Sequence, residues 1–214
     1  MNKRSEGGRV SRMGRSAVLS SLLSCLAWSP VCAQVNQWTN VGPVGGRIPF
    51  LVIDPEDPAT FYAGTGVGVL KSTDSGTSWI NTGMVADGLV IDHKNPATLY
   101  ALAPTDDDFI ATRLFKSTDG GATWNEGFWF PPDASMLTID PQEGTLYAVA
   151  GDARRLLFKS TDGGANWIVL PALPNSAYFI DLAADPQNAG TLYAAAIGNI
   201  AGRPLVTVYK SRDG

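Results

Sequence analysis

One phrase of eight residues recurs along the chain. It reads Ser72-Thr-Asp-Ser-Gly-Thr-Ser-Trp79, then Ser117-Thr-Asp-Gly-Gly-Ala-Thr-Trp124, then Ser160-Thr-Asp-Gly-Gly-Ala-Asn-Trp167, and a fourth begins as Ser211-Arg-Asp-Gly214. Each copy follows an apolar pair and a lysine: Val69-Leu70-Lys71, Leu114-Phe115-Lys116, Leu157-Phe158-Lys159 and Val208-Tyr209-Lys210. The aspartates Asp74, Asp119, Asp162 and Asp213 lie 45, 43 and 51 positions apart. A period of that size is one supersecondary unit repeated in register, as in a propeller blade or a solenoid coil.

Aligning on this phrase exposes a second repeated element upstream. Val52-Ile-Asp-Pro55 leads to Thr60-Phe-Tyr-Ala63, Val90-Ile-Asp-His93 to Thr98-Leu-Tyr-Ala101, Thr138-Ile-Asp-Pro141 to Thr145-Leu-Tyr-Ala148, and Ala183-Ala-Asp-Pro186 to Thr191-Leu-Tyr-Ala194. Each unit therefore reads as four short strands: one ending in Asp, one spelling Thr-Leu-Tyr-Ala, one ending in Lys-Ser, and one starting at the motif Trp. Short β-branched and aromatic runs between turn residues, with no stretch of helical periodicity, predict an all-β chain. Four strands per unit predict a β-propeller of four-stranded antiparallel blades. About four blades are present, at roughly 47–83, 84–127, 134–170 and 177–214. Trp38-Thr-Asn-Val-Gly42 matches Trp79-Ile-Asn-Thr-Gly83, so residues 36–42 are expected to be a closing strand. The fourth phrase stops before its Trp, and the expectation is the N-terminal part of a larger propeller. The competing expectation is a four-bladed ring in which Trp38 completes the fourth motif.

The phrase has a structural explanation. Asp accepts backbone N–H bonds within its own turn, Gly supplies positive φ, Ser and Thr add local hydroxyl bonds, and Trp packs between sheets. Ser72, Asp74, Gly76 and Trp79, with Ser117, Asp119, Gly121 and Trp124, Ser160, Asp162, Gly164 and Trp167, and Ser211 and Asp213, are thus expected to be structural staples. This Ser-x-Asp-x-Gly-x-x-Trp pattern resembles the Asp-box, or BNR repeat, over nearly all of residues 36–214. Sialidases, xyloglucan-cleaving hydrolases, sortilin-type receptors and photosystem II assembly factors share it. The resemblance implies a propeller and leaves the task open, because those families put unrelated chemistry on one scaffold.

Residues 1–33 differ in kind. Lys3, Arg4, Arg9, Arg12 and Arg15 precede the apolar run Ala17 to Trp28, and Val31-Cys32-Ala33 ends it. That is a secretory signal with small-residue cleavage after Ala33, with Met1 or Met13 as the start. Secreted or periplasmic localisation follows; lipidation at Cys25 is the lesser alternative. The run is too short and too rich in serine for a membrane span. Both cysteines, Cys25 and Cys32, lie in this segment, so the mature chain lacks disulfides, thiolate metal sites and cysteine nucleophiles. It carries eleven basic against nineteen acidic residues, a net charge of −8 that opposes binding to nucleic acid or anionic lipid.

Antiparallel four-stranded blades place the turns between first and second and between third and fourth strands on one face. The other face varies: from the Tyr of strand two to the Lys of strand three the separations are 9, 16, 12 and 17 residues. Such variation marks a binding surface for a protein partner or a carbohydrate. There the expected blade connection Gly127-Phe-Trp-Phe-Pro-Pro132 sets Trp129, Phe130 and Phe128 beside two prolines, as contact residues or as a plug between blades. Asp106, Asp107 and Asp108 lack the alternating spacing of a Ca²⁺ loop and read as a solvated tip. No metal site or cofactor is expected, since His93 is the only histidine and sits in a turn.

Two enzyme classes share parts of this pattern. Gly46-Arg47-Ile48-Pro49 resembles the arginine motif of sialidases, in which Arg47 would pair with a substrate carboxylate, but no acidic-Asp-Arg motif follows. Where xyloglucanase-like propellers carry an Arg-Thr-Asp-x-Gly acid, this chain reads Ala63-Gly64-Thr65-Gly66-Val67-Gly68. The sequence thus points to an exported, non-catalytic binding or assembly scaffold. The alternative is an N-terminal fragment of a glycoside hydrolase.

Overall fold

The computed structural model describes residues 38–43, 46–105, 112–151, 156–173, 178–200 and 203–214. The chain divides into Met1–Thr39 and Asn40–Gly214. Of the first unit only Trp38 and Thr39 are described, so the expected signal segment, with Cys25 and Cys32, lies outside the described residues.

The second unit is all-β, as the repeat predicts. Strands β1 (Leu51–Ile53), β2 (Phe61–Thr65), β3 (Gly68–Ser72) and β4 (Ile80–Asn81) form one antiparallel sheet in chain order. The second sheet holds β5 (Gly88–Ile91), β6 (Leu99–Pro104), β7 (Thr112–Ser117) and β8 (Asn125–Phe130). The third holds β9 (Met136–Ile139), β10 (Leu146–Ala150), β11 (Leu156–Ser160) and β12 (Ile168–Val169). Three strands make the last, β13 (Tyr178–Ala184), β14 (Leu192–Ile200) and β15 (Arg203–Ser211). The register repeats too: Tyr62 pairs with Lys71, Tyr100 with Lys116, Tyr147 with Lys159 and Tyr193 with Lys210.

First strands of successive sheets lie beside one another, β1 with β5, β5 with β9, β9 with β13. The second strands of the two middle sheets, β6 and β10, are therefore covered on both faces, and their two-residue period sends alternate side chains into different cores. Leu99, Ala101 and Ala103 of β6 enter the core between the first two sheets, whereas Tyr100 and Leu102 enter the next. β10 repeats the division, with Leu146, Ala148 and Ala150 on one side and Tyr147 and Val149 on the other. Small residues on one face meet large ones opposite. Each large side chain removed from water contributes about 1.5–3 kcal/mol.

Polar side chains cross the interfaces beside this packing, with Tyr147 Oη at the third left without a hydrogen-bond partner among the described residues. Lys71 Nζ and Tyr62 Oη both donate to the Gly120 carbonyl, at 2.9 and 3.2 Å, across to the next sheet's turn. Lys159 Nζ donates to the Asp213 and Gly214 carbonyls at 3.3 and 3.2 Å. Tyr100 and Lys116 close on Gly163 so tightly that a Cβ there would lie 3.2 Å from the phenol and 3.1 Å from the amine. Gly120, Gly163 and Gly214 have φ of 67°, 71° and 74°, so both backbone conformation and these side chains demand glycine. Ser75 holds the equivalent place in the first turn at φ 58°.

Four expectations are corrected. The fourth strands start one residue after the motif Trp, at Ile80, Asn125 and Ile168. The Gly127–Pro132 segment is not a connection up to residue 130 but the second half of β8, because Trp129 and Phe130 continue the ladder opposite Arg113 and Thr112. Residues 38–42 are not in a strand; their likeness to residues 79–83 is an Asx turn, Asn40 Oδ1 accepting from Gly42 N as Asn81 Oδ1 accepts from Gly83 N. Nor do the four sheets close a ring, since Leu51 and Ile53 of the first sheet and Val206 and Val208 of the last remain exposed.

Candidate functional site

The repeated turns come first because they hold the repeated carboxylates. Ser117 Oγ, fully buried, donates to Asp119 Oδ1 at 2.8 Å and accepts from Gly121 N at 2.9 Å. Asp119 Oδ1 also accepts from Thr123 N at 2.9 Å, and Oδ2 accepts from Thr123 Oγ1 at 2.5 Å. Ser72, Asp74, Gly76 and Ser78 repeat this arrangement, as do Ser160, Asp162, Gly164 and Asn166. In the fourth turn Ser211 Oγ donates to Asp213 Oδ1 at 2.9 Å. Hydrogen bonds from Thr123 side chain and backbone, then from Ser117, hold Asp119 down to a pKa of about 2. Asn166 backbone and side chain, then Ser160, hold Asp162 at about 2, and Ser78 followed by Ser72 lowers Asp74. Both oxygens of each carboxylate thus accept from donors of their own turn, and a group held this far below the usual carboxylate range has no proton to give at neutral pH.

The tryptophans are divided. Trp124 and Trp167 pack against the cores of the first and second interfaces. Trp79 instead lies edge-on to Phe61 at 5.1 Å and donates Nε1 to the Val41 carbonyl at 3.1 Å.

Sequence reasoning missed Asp140. Its relatives Asp54, Asp92 and Asp185 accept local backbone N–H groups in exposed or half-exposed turns. Asp140 is buried, accepts from Gln142 N at 2.7 Å, and reaches the neighbouring sheet's turn, where Gly190 N donates to Oδ2 at 2.7 Å. Gln142 Nε2 donates to the Pro186 carbonyl beside it at 2.9 Å. The Ile-Asp-Pro motif is the same in the first and third units, so nothing in the sequence marks Asp140 as a cross-sheet tie.

On the opposite end, the three aromatics separate. Phe130 is 3% exposed, edge-on to Phe158 and Trp167, and so takes the inward-packed alternative rather than that of a contact residue. Phe128 is half-buried against Phe130 and Trp167. Trp129 alone faces outward, 52% exposed, because the strand's alternation turns it away from its neighbours. The Arg113 guanidinium stacks over its ring at 4.5 Å, pairs with Glu126, and donates Nε to the Gly127 carbonyl at 3.2 Å. This ordered, amphipathic platform was legible only in part, since Arg113 is brought to Trp129 by strand register.

The other candidates are quickly placed. Arg47 is exposed and makes no ion pair among the described residues. Asp106, Asp107 and Asp108 lie outside the described residues, and His93 is exposed in a turn. The long Tyr193 to Lys210 separation is taken up by nine-residue strands rather than by a long loop. Among the described residues no three His, Cys, Asp or Glu gather as a metal site, and no helix is long and apolar enough to cross a membrane.

A cavity of about 500 Å³ lies between the last two sheets. Its floor includes Leu192, Ala194 and Tyr209. The equivalent residues one unit earlier, Leu146, Ala148 and Phe158, belong to the core against which Trp167 packs. The cavity therefore has the form of this repeat's own indole seat, apolar along Leu157, Leu170 and Leu173 and bordered by Lys210, Ser211 and Asp213 of the fourth turn.

Comparisons with known proteins agree on the framework. No family model matches the chain, and no curated protein matches it. Solved structures do. An ancestral GH74 enzyme superposes with a TM-score of 0.62 at 21% identity, over 82% of this chain and 25% of that one. The GH74 enzyme of Niastella koreensis gives 0.60 at 23% identity, over 76% and 28%. YCF48 bound to D1 peptide gives 0.53 at 15% identity, over 84% and 56%. The chain thus spans about a quarter of the length of the two GH74 enzymes. Its described part is a run of four antiparallel sheets of the kind that builds propeller blades.

Proposed function

We propose that this chain is an exported scaffold whose Asp-box blades present a binding surface at the end carrying the β8 terminus and the hairpins between second and third strands. The occupation of the repeated carboxylates supports this reading. Asp74, Asp119 and Asp162 are held ionised by donors of their own turns, which makes them unfit as general acids and useful as fasteners. Trp129, stacked by Arg113, is the contact anchor: a rigid aromatic with a cationic neighbour suits a peptide or a sugar ring. The framework itself does not choose, since it serves both enzymes and a peptide-bound protein. A glycoside hydrolase is the alternative, with its carboxylate pair contributed from elsewhere in the protein. Incubation with xyloglucan and other β-glucans, read as new reducing ends, tests the choice. Binding without cleavage, lost in Trp129→Ala, is the expected result. Turnover at the purified protein would overturn the scaffold reading.

A further inference from the structure

The register of the second sheet fixes which way Trp129 looks. It lies opposite Arg113, and Arg113 lies opposite Ala103. Ala103 belongs to the core between the first and second sheets, and residues opposite one another in a ladder share a face. Trp129 therefore stands over the rim of that first interface, whereas Phe128 and Phe130 pack into the second.

Two other segments reach the same rim. The connection from β4 to β5 bridges the two sheets, its Met84 carbonyl accepting from Val69 N at 2.7 Å and its Asp87 N donating to the Leu102 carbonyl at 2.9 Å. The hairpin between β2 and β3 is tied to β4 by Asn81 Nδ2, which donates to the Val67 carbonyl at 3.1 Å. Each of the three segments leaves one large apolar side chain uncovered: Val67 is 71% exposed, Val85 57% and Trp129 52%. Met84 and Ala86, on either side of Val85, are buried and anchor the connection. Apolar side chains brought to one rim from separate segments form a patch, which marks an interaction site, rather than the scattered exposure of an ordinary surface.

Charge selects the occupant. The Arg113 guanidinium covers one face of the indole, but its charge is answered by Glu126 and its Nε–H is used on the Gly127 carbonyl. Asp87 is exposed, and its carboxylate makes no ion pair or hydrogen bond among the described residues. Residues 34–214 carry eleven basic against nineteen acidic residues, a net charge of −8. The open indole face and the free carboxylate both attract a cation. Asp87 immediately precedes β5 and Trp129 is near the end of β8, three strand spacings or about 14 Å away, which about four residues of extended chain span.

The geometry points to a groove along this rim for an extended peptide of a partner protein, with two basic residues about four positions apart and apolar residues between them. One cation stacks on the open face of Trp129, the other pairs with Asp87, and the intervening side chains cover Val67 and Val85. A neutral sugar gains nothing from Asp87 or from the net charge. This assignment rests on the reading of that end of the molecule as a binding surface and narrows its ligand to a basic peptide.

Titration of the purified protein with acetylated, amidated pentapeptides, followed by the indole N–H signals in NMR, tests it; Trp129→Ala identifies the Trp129 signal. Lys-Leu-Ala-Leu-Lys is expected to move that signal and to bind at least about tenfold more tightly than Glu-Leu-Ala-Leu-Glu, the product of one cation–π contact and one screened ion pair. Lys-Lys-Leu-Ala-Leu, equal in charge but with adjacent lysines, is expected to bind about threefold more weakly than the first, the worth of the ion pair it cannot reach. Asp87→Asn should erase that threefold difference without changing the melting temperature. Equal affinity for the lysine and glutamate peptides would overturn the assignment, as would equal affinity for the two lysine peptides. A Trp129 signal moved only by a xyloglucan oligosaccharide would overturn it too while leaving the binding surface in place, whereas a signal that no probe moves removes both.

Discussion

Removal of one buried hydroxyl tests the staple mechanism most directly. Ser117→Ala deletes the acceptor of the Gly121 N–H bond and one donor to Asp119, in a turn where Ser117 is fully buried. The methyl group fits, so no cavity or clash confuses the result. A buried N–H without a partner costs about 1–3 kcal/mol. For a domain of this size each kcal/mol lowers the melting temperature by about 2–4 °C, so a fall of about 2–12 °C is expected. Ser211→Ala is the internal control: its hydroxyl is partly exposed and donates only to Asp213 among the bonds described, so water substitutes and the cost stays within about 0.5 kcal/mol. Amide exchange locates the effect. The Gly121 N–H should exchange faster in Ser117→Ala while Gly76 and Gly164, held by their own serines, are unchanged. If Ser117→Ala melts with the wild type and Gly121 keeps its protection, the hydroxyl is not the fastener and the reasoning fails.

Acid and alkali probe the same framework from opposite sides. The folded pKa of Asp119 and Asp162, about 2, lies below the ordinary 3.8, so their contribution is complete above about pH 4 and disappears as pH falls toward 2; carboxyl NMR titration should show both midpoints near 2. Tyr62 and Tyr147 are pushed up to about 12, chiefly by burial and then by nearby carboxylates, Asp54 for the first and Asp140, Glu143 and Asp213 for the second. Their contribution is intact below pH 10 and lost as pH rises through 12, so phenolate absorbance should show two tyrosines ionising late and together with unfolding. Phe130→Ala should cost about 3–5 kcal/mol in denaturant titration, whereas Trp129→Ala should cost less than about 1 kcal/mol, because only the first empties a core. Gly164→Ala should destabilise by at least about 1–3 kcal/mol in the same assay: its φ is 89° and a Cβ would lie 2.5 Å from Leu114 Cδ2.

The sequence by itself determined the repeating unit. Alternation within Thr-Leu-Tyr-Ala, the Asp and Gly of each turn, and the Lys-Ser that closes each third strand are local rules, and local rules repeated four times leave one sheet topology. It also pointed to the repeated aspartates as bonded within their own turns, and Asp74, Asp119 and Asp162 do accept from the donors there. What sits against what was decided only by the tertiary structure. Phe128, Trp129 and Phe130 read as one aromatic cluster, yet strand pleat sends neighbours in sequence to opposite sides, burying Phe130 and exposing Trp129. Asp140 shares its motif with Asp54, yet only Asp140 is bonded to the following sheet among the described residues, through a turn that the chain reaches 50 residues later. The Lys and Tyr of each unit carry no sign in the sequence of the carbonyl they hold, because that acceptor belongs to the next repeat. Side-chain direction follows from local geometry and can be read along the chain; partnership across an interface depends on the angle and register of two sheets, and no single repeat contains it.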